Sequence, residues 1–150
     1  MESPWPAAPY TRWAVVRKVT RKRVDRSDWA GYLAAAEENY ASACAVQLSR
    51  KHRAAGILLV HAAIALTDAL TVRAGGVKST GEHHQEAIDL VRELLPNAAG
   101  LGPALRHLEA IIHEKNRVSY TGDPFTASDI AHMRTHYERF ALWVKEQLRT

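Results

Sequence analysis

The stretch AAGILLVHAAIALTDALTVR, Ala54 to Arg73, decides the fold. It is apolar on almost every side and is followed by Gly75-Gly76, a natural helix terminator. A helix without a polar face belongs at the centre of a bundle, covered by its neighbours. Its longest apolar run, Ala54 to Leu66, holds 13 residues, is interrupted by His61 and is followed by Thr67 and Asp68. That run is too short to span a bilayer, so a buried core helix is predicted and no membrane partner.

The flanking segments supply the cover. Ser27-Asp28 offers an N-cap, after which Trp29, Tyr32, Leu33, Ala36, Tyr40, Ala43 and Val46 or Gln47 recur at helical spacing up to Ser49-Arg50. Arg50-Lys51-His52-Arg53 marks the turn into the central helix. Beyond Gly76, Ser79 or Thr80 caps a third helix, from about Glu82 to Leu95, with Ile88, Leu90, Val91, Leu94 and Leu95 inward and Pro96-Asn97 as its stop. Gly102-Pro103 opens a fourth, striped by Leu105, Leu108, Ile111 and Ile112 and running to about Asn116. A loop from Ser119 to Phe125 leads to Thr126, whose spacing to Asp129 matches a capping box. The last helix carries Ile130, Met133, Tyr137, Phe140, Leu142, Val144 and Leu148. The prediction is an all-α, antiparallel up-and-down bundle of four to five helices over residues 27–150.

With 150 residues, 47% hydrophobic and 24% charged, the chain has room for one core. Alanine is abundant and strand formers are sparse, which favours helix from the outset. Cys44 is the single cysteine, so no internal disulfide or multi-cysteine zinc site is available and a reducing, cytoplasmic setting is expected. MESPWPAAPY lacks the basic start and apolar stretch of a signal peptide.

The net charge of +4 is uneven. Residues 1–26 carry seven basic side chains against two acidic ones; residues 27–150 carry 13 against 14. The basic character therefore lies in an N-terminal arm, residues 1–26, partly disordered or extended, in which Trp13 to Val24 reads as an extended segment or a short edge strand. Arg17, Lys18, Arg21, Lys22 and Arg23, with Trp13 nearby, suit phosphate contacts with base stacking. A solvated tail, or an arm folded onto the bundle or a partner, is the other reading.

Several pieces in order resemble the HEPN (higher eukaryotes and prokaryotes nucleotide-binding) family: the turn SRKHRAAG into ILLVHAAIALTDAL, a Gly-rich break, EHHQEAIDLVRELL, a helix ending HEKNRVSY and a last helix ending FALWVKEQL. The resemblance spans about residues 27–148. It implies a bundle that dimerises, with RNA or a nucleotide as ligand, and in some members a nucleotidyltransferase or toxin–antitoxin protein partner. Many members are metal-independent ribonucleases, with an arginine and a histidine four to six residues beyond. Histidine suits transfer of the 2′-hydroxyl proton, and arginine forks onto the phosphate.

Arg117 matches the family arginine, but Gly122, Asp123 and Pro124 stand where a histidine is expected. Tyr120 can position a phosphate yet shuttles protons poorly near neutrality. The resemblance therefore implies a non-catalytic module with Lys115, Asn116, Arg117, Tyr120, His61 and Asp68 as candidate ligand-binding residues and no assigned catalytic residue. An endoribonuclease with an altered site around Arg117, and a structural or antitoxin-like interaction protein, are the alternatives. His61 and Asp68 have a second reading as a polar clamp between the second and fourth helices.

Arg106 and His113 have the family's count but sit two turns apart within one helix, roughly 10 Å, which reads as coincidence. His132 and His136 have a zinc-capable spacing, but Glu138 lies too far round the helix to complete a site, so exposed histidines and no metal are expected. His83-His84 point apart and read as surface. No Gly-rich phosphate loop, nucleophile elbow or carboxylate pair is present, so no cofactor is expected.

Overall fold

The computed structural model describes residues 20–81 and 83–150. Arg17 and Lys18 of the basic arm, and the residues before them, lie outside the described residues. Helices α1 (Trp29–Leu48), α2 (His52–Gly75), α3 (Gln85–Leu94), α4 (Leu101–His113), α5 (Lys115–Tyr120) and α6 (Ala127–Leu148) build an all-α bundle. The core is formed by Leu59, Leu66 and Leu70 of α2, Ile88 and Val91 of α3, Leu105, Leu108 and Ile111 of α4, and Ile130, Phe140 and Val144 of α6.

The central place of the apolar helix follows from its composition. α2 packs against each of the other helices and buries all but one stripe, which runs through Ala54 and His61. It is long and apolar enough to cross a membrane, but most of it is enclosed by the bundle. Its most extensive neighbour is α1, where the buried Ala36 and Ala43 leave room for close approach. Gly56 on α2 serves the same end: a Cβ there would lie 2.8 Å from the Val118 side chain and 3.0 Å from the Phe125 ring.

The turns carry specific chemistry. α1 ends with Arg50 N–H donating to the Gln47 carbonyl and Lys51 N–H to that of Val46, and Arg50 takes φ +59°. This double-bonded stop ordinarily holds glycine, so an arginine there is strained. Gly76, φ +63°, fills the corresponding place after α2 without strain. At α6 both halves of the capping box form: Thr126 Oγ1 accepts from Asp129 N–H, and the Asp129 carboxylate accepts from Thr126 N–H.

Three boundaries depart from expectation. Two short strands, β1 (Arg21–Arg23) and β2 (Val77–Ser79), pair antiparallel, with Lys22 opposite Lys78. The sequence suggested β1 as one option but showed no strand in the body, because three residues carry too little alternation to register. α3 begins at Gln85 rather than near Glu82, since Val77 to Ser79 is taken up by pairing. The fourth helix breaks at Glu114 and resumes as α5 to Tyr120, through residues expected to be loop.

The end of the arm is docked on the bundle. Arg26 donates through Nε to the Arg73 carbonyl at 3.1 Å and through Nη2 to that of Ala74, satisfying open carbonyls at the end of α2. Arg21 pairs with Glu93 of α3 at 2.5 Å. Lys22 and Arg23 are exposed.

Candidate ligand-binding groove

The candidate residues named from sequence do not gather at one site. Asp68 is buried and pairs with Lys78 of β2 at 3.5 Å, so the clamp reaches the strand and not the fourth helix. Burial raises its carboxyl pKa, and Lys78 opposes that rise. His61 is exposed, because its position turns away from the faces that α2 buries. Lys115, His61 and His83 instead lie near His84, whose pKa lies below the ordinary value of 6.5, first from burial and then from Coulombic interaction with those three residues. Asn116 and Tyr120 are exposed on α5.

Arg117 lies in a dense polar knot. Its Nη2 donates to the Pro124 carbonyl at 2.7 Å and to Asp129 at 3.0 Å; Nη1 donates to Glu114 at 3.3 Å. The guanidinium also stands 5.4 Å from the centre of the Phe125 ring. Asp129 titrates below the usual carboxylate range, held there first by the Thr126 N–H, then by the Thr126 hydroxyl, with Arg117 adding to both. Arg117 thus stitches α5 to the cap of α6. None of the eight histidines contacts its guanidinium.

A cleft runs between α4 and α6. It encloses about 580 Å³ and is lined by Arg106, Glu109, Ala110, His113, Glu114, Asp129, His132, Met133 and His136. Its carboxylates are engaged elsewhere: Glu109 with Arg92 at 3.6 Å, Glu114 and Asp129 with Arg117. Arg106 pairs with no acidic side chain among the described residues, and it shares the groove with three imidazoles and with three carboxylates already paired to other arginines.

His136 is half-buried rather than exposed, and its Nδ1 lies 2.9 Å from Nδ1 of His107 on α4. Such a bond needs one ring to donate and the other to accept, so at least one must be neutral. His107 is held below the ordinary histidine value by partial burial first, then by His136, Arg139 and Arg106.

Arg106 and His113, two turns apart on α4, both line this groove, and α6 brings His132 and His136 alongside them. HxxxH on α6 was the available signal, since His132 and His136 share the face that meets α4. Among the described residues no cluster of three or more histidine, cysteine or acidic side chains is arranged to hold a metal. No protein-family model, curated protein or solved structure matches the chain.

Proposed function

We propose that the chain is a non-catalytic HEPN-like module, acting as a dimer in the cytoplasm, that binds the phosphates of RNA or of a nucleotide in the α4–α6 groove. The observation that carries this reading is the division between two arginines. Arg117, which the family resemblance points to, is consumed by Glu114, Asp129 and the Pro124 carbonyl. Arg106 faces the groove without an acidic partner among the described residues, and a guanidinium so placed forks onto a phosphate. His113 on the same wall and His132 on the opposite one supply further donors. A nucleotidyltransferase or toxin–antitoxin protein partner belongs to the same proposal.

Fluorescence anisotropy with labelled single-stranded RNA and with a labelled nucleotide tests it. Arg106→Ala is expected to weaken binding about tenfold, the loss of one charge-assisted contact. Arg117→Ala, which frees Glu114 and Asp129 beside the groove, weakens binding by less than Arg106→Ala. Equal loss in both variants contradicts the reading. Light scattering of the full chain checks the dimer.

One observation favours a second reading. Arg106 and His113 share a groove with His132 and His136, the residue types that metal-independent RNA cleavage uses. That reading moves the altered nuclease site from Arg117 to Arg106, and it requires RNA fragments in EDTA that vanish in His113→Ala.

A further inference from the structure

One line of α2 is covered for only half its length. Ala54, Leu58, His61, Ala65, Asp68 and Val72 follow one another at helical spacing and so share a face. Asp68 and Val72 are buried where β2 packs on the helix, and Lys78 of β2 reaches Asp68 at 3.5 Å. Among the described residues nothing gives the earlier half that cover. Ala54 and His61 are exposed, and Leu58 and Ala65 are only partly buried. Apart from its two polar residues the line is apolar, and apolar surface gains by leaving water.

The strands say what arrives there. β2 folds back along α2 after Gly76, since Lys78 meets Asp68 and not the end of the helix. The chain holds that direction past Ser79, because His84 comes near enough to His61 for Coulombic interaction. β1 runs antiparallel to β2, and Thr80 N–H donates to the Thr20 carbonyl at 3.1 Å. A chain entering β1 at Thr20 therefore arrives from the His61 side, over the open half of the line. Lengths agree. From Asp68 back to Ala54 is about 21 Å along the helix, and the seven residues 13–19, extended, span about 23 Å.

We propose that residues 13–19, WAVVRKV, form a strap that lies extended along the open half of this line. Its β-branched valines suit an extended backbone, and either register turns Val15 or Val16 toward the helix. Trp13 ends beside Ala54, where a cleft of about 510 Å³ is also lined by Arg50, Lys51 and Ile57. An indole ring there has an apolar floor and cations to meet its face. Near His61, Nε2 of His84 is shut away from solvent with no hydrogen-bond partner among the described residues, and a strand backbone offers both donors and acceptors. Arg17 and Lys18 reach solvent with their charged ends. No residue of the strap or the line belongs to the α4–α6 groove, so the proposal stands apart from the groove reading.

The test is a methyl NOE spectrum of the full-length chain with its Ala, Ile, Leu and Val methyls labelled. Cross-peaks are expected from the Val15, Val16 or Val19 methyls to those of Leu58 and Ala65, and from the Trp13 ring to Ala54 or Ile57. Val15→Asp with Val16→Asp is expected to remove them and to speed amide exchange in residues 14–19 at least about tenfold, with helicity by circular dichroism unchanged. No contact between residues 13–19 and α2 in the parent overturns the proposal, as does exchange equally fast in parent and variant. A sample mixing labelled with unlabelled chains tells whose strap is bound. Cross-peaks that arise only between chains assign the line to a second copy and overturn docking of the chain's own segment.

Discussion

The Arg117 guanidinium meets Asp129 at 3.0 Å on the same carboxylate oxygen that accepts the N–H and hydroxyl of Thr126. One oxygen therefore joins the end of α5, the cap of α6 and the loop between them. Arg117 is here a fastener.

Arg117→Ala releases that fastening. The melting temperature falls, and amides from Thr121 to Ile130 exchange faster with solvent, while affinity for labelled RNA falls less than it does in Arg106→Ala. Unchanged exchange across this segment contradicts the role.

Arg50 holds φ +59° at the end of α1. Arg50→Gly removes the left-handed penalty and raises stability by about 1 kcal/mol in denaturant titration. A loss of stability means that the arginine side chain contributes more to the fold than its backbone costs.

Two helical glycines separate the effects of space and conformation. Nothing lies within 4 Å of a Cβ built on Gly31, so Gly31→Ala stabilises α1 by about 1 kcal/mol. At Gly56 the Val118 side chain stands 2.8 Å from that position. Gly56→Ala there forces α5 outward and lowers stability by about 1–2 kcal/mol after the helix gain is subtracted. Urea midpoints for the pair, moving in opposite directions, check both.

His107 and His84 both titrate below 6.5 in the folded chain. A depressed imidazole binds fewer protons folded than unfolded, so its contribution is whole above about pH 6.5 and is lost as pH falls through the folded value. The charged groups that lower His107 are cations, His136, Arg139 and Arg106; for His84 they are Lys115, His61 and His83. Melting temperature is expected to fall from about pH 7 to about pH 5, and His107→Gln to flatten part of that fall. Asp68 has the opposite sign. Its raised pKa means stability is lost as pH rises through the folded value, and Asp68→Asn removes that component.

The bundle was legible because its signals are long. Twenty residues without a polar face place α2 at the centre, and the Thr126–Asp129 spacing places the start of α6. β2 was hidden, since three residues such as Val77-Lys78-Ser79 have no pattern of their own and acquire structure from Arg21–Arg23 across the sheet. The site was legible only in part. Arg106, His107, His113, His132 and His136 are all visible as residue types, but the meeting of α4 with α6 is a tertiary fact that no local spacing encodes. For Arg117, sequence marked the position and missed its partners, because Glu114 and Asp129 have other local readings, a helix break and a cap.

The most direct test is one experiment: labelled single-stranded RNA incubated with the chain in EDTA, then run on native and denaturing gels. The account predicts a shifted but intact RNA with the parent and with Arg117→Ala, and with Arg106→Ala a shift that needs about tenfold more protein. Fragments that appear with the parent and vanish in Arg117→Ala would contradict it and return the chemistry to Arg117.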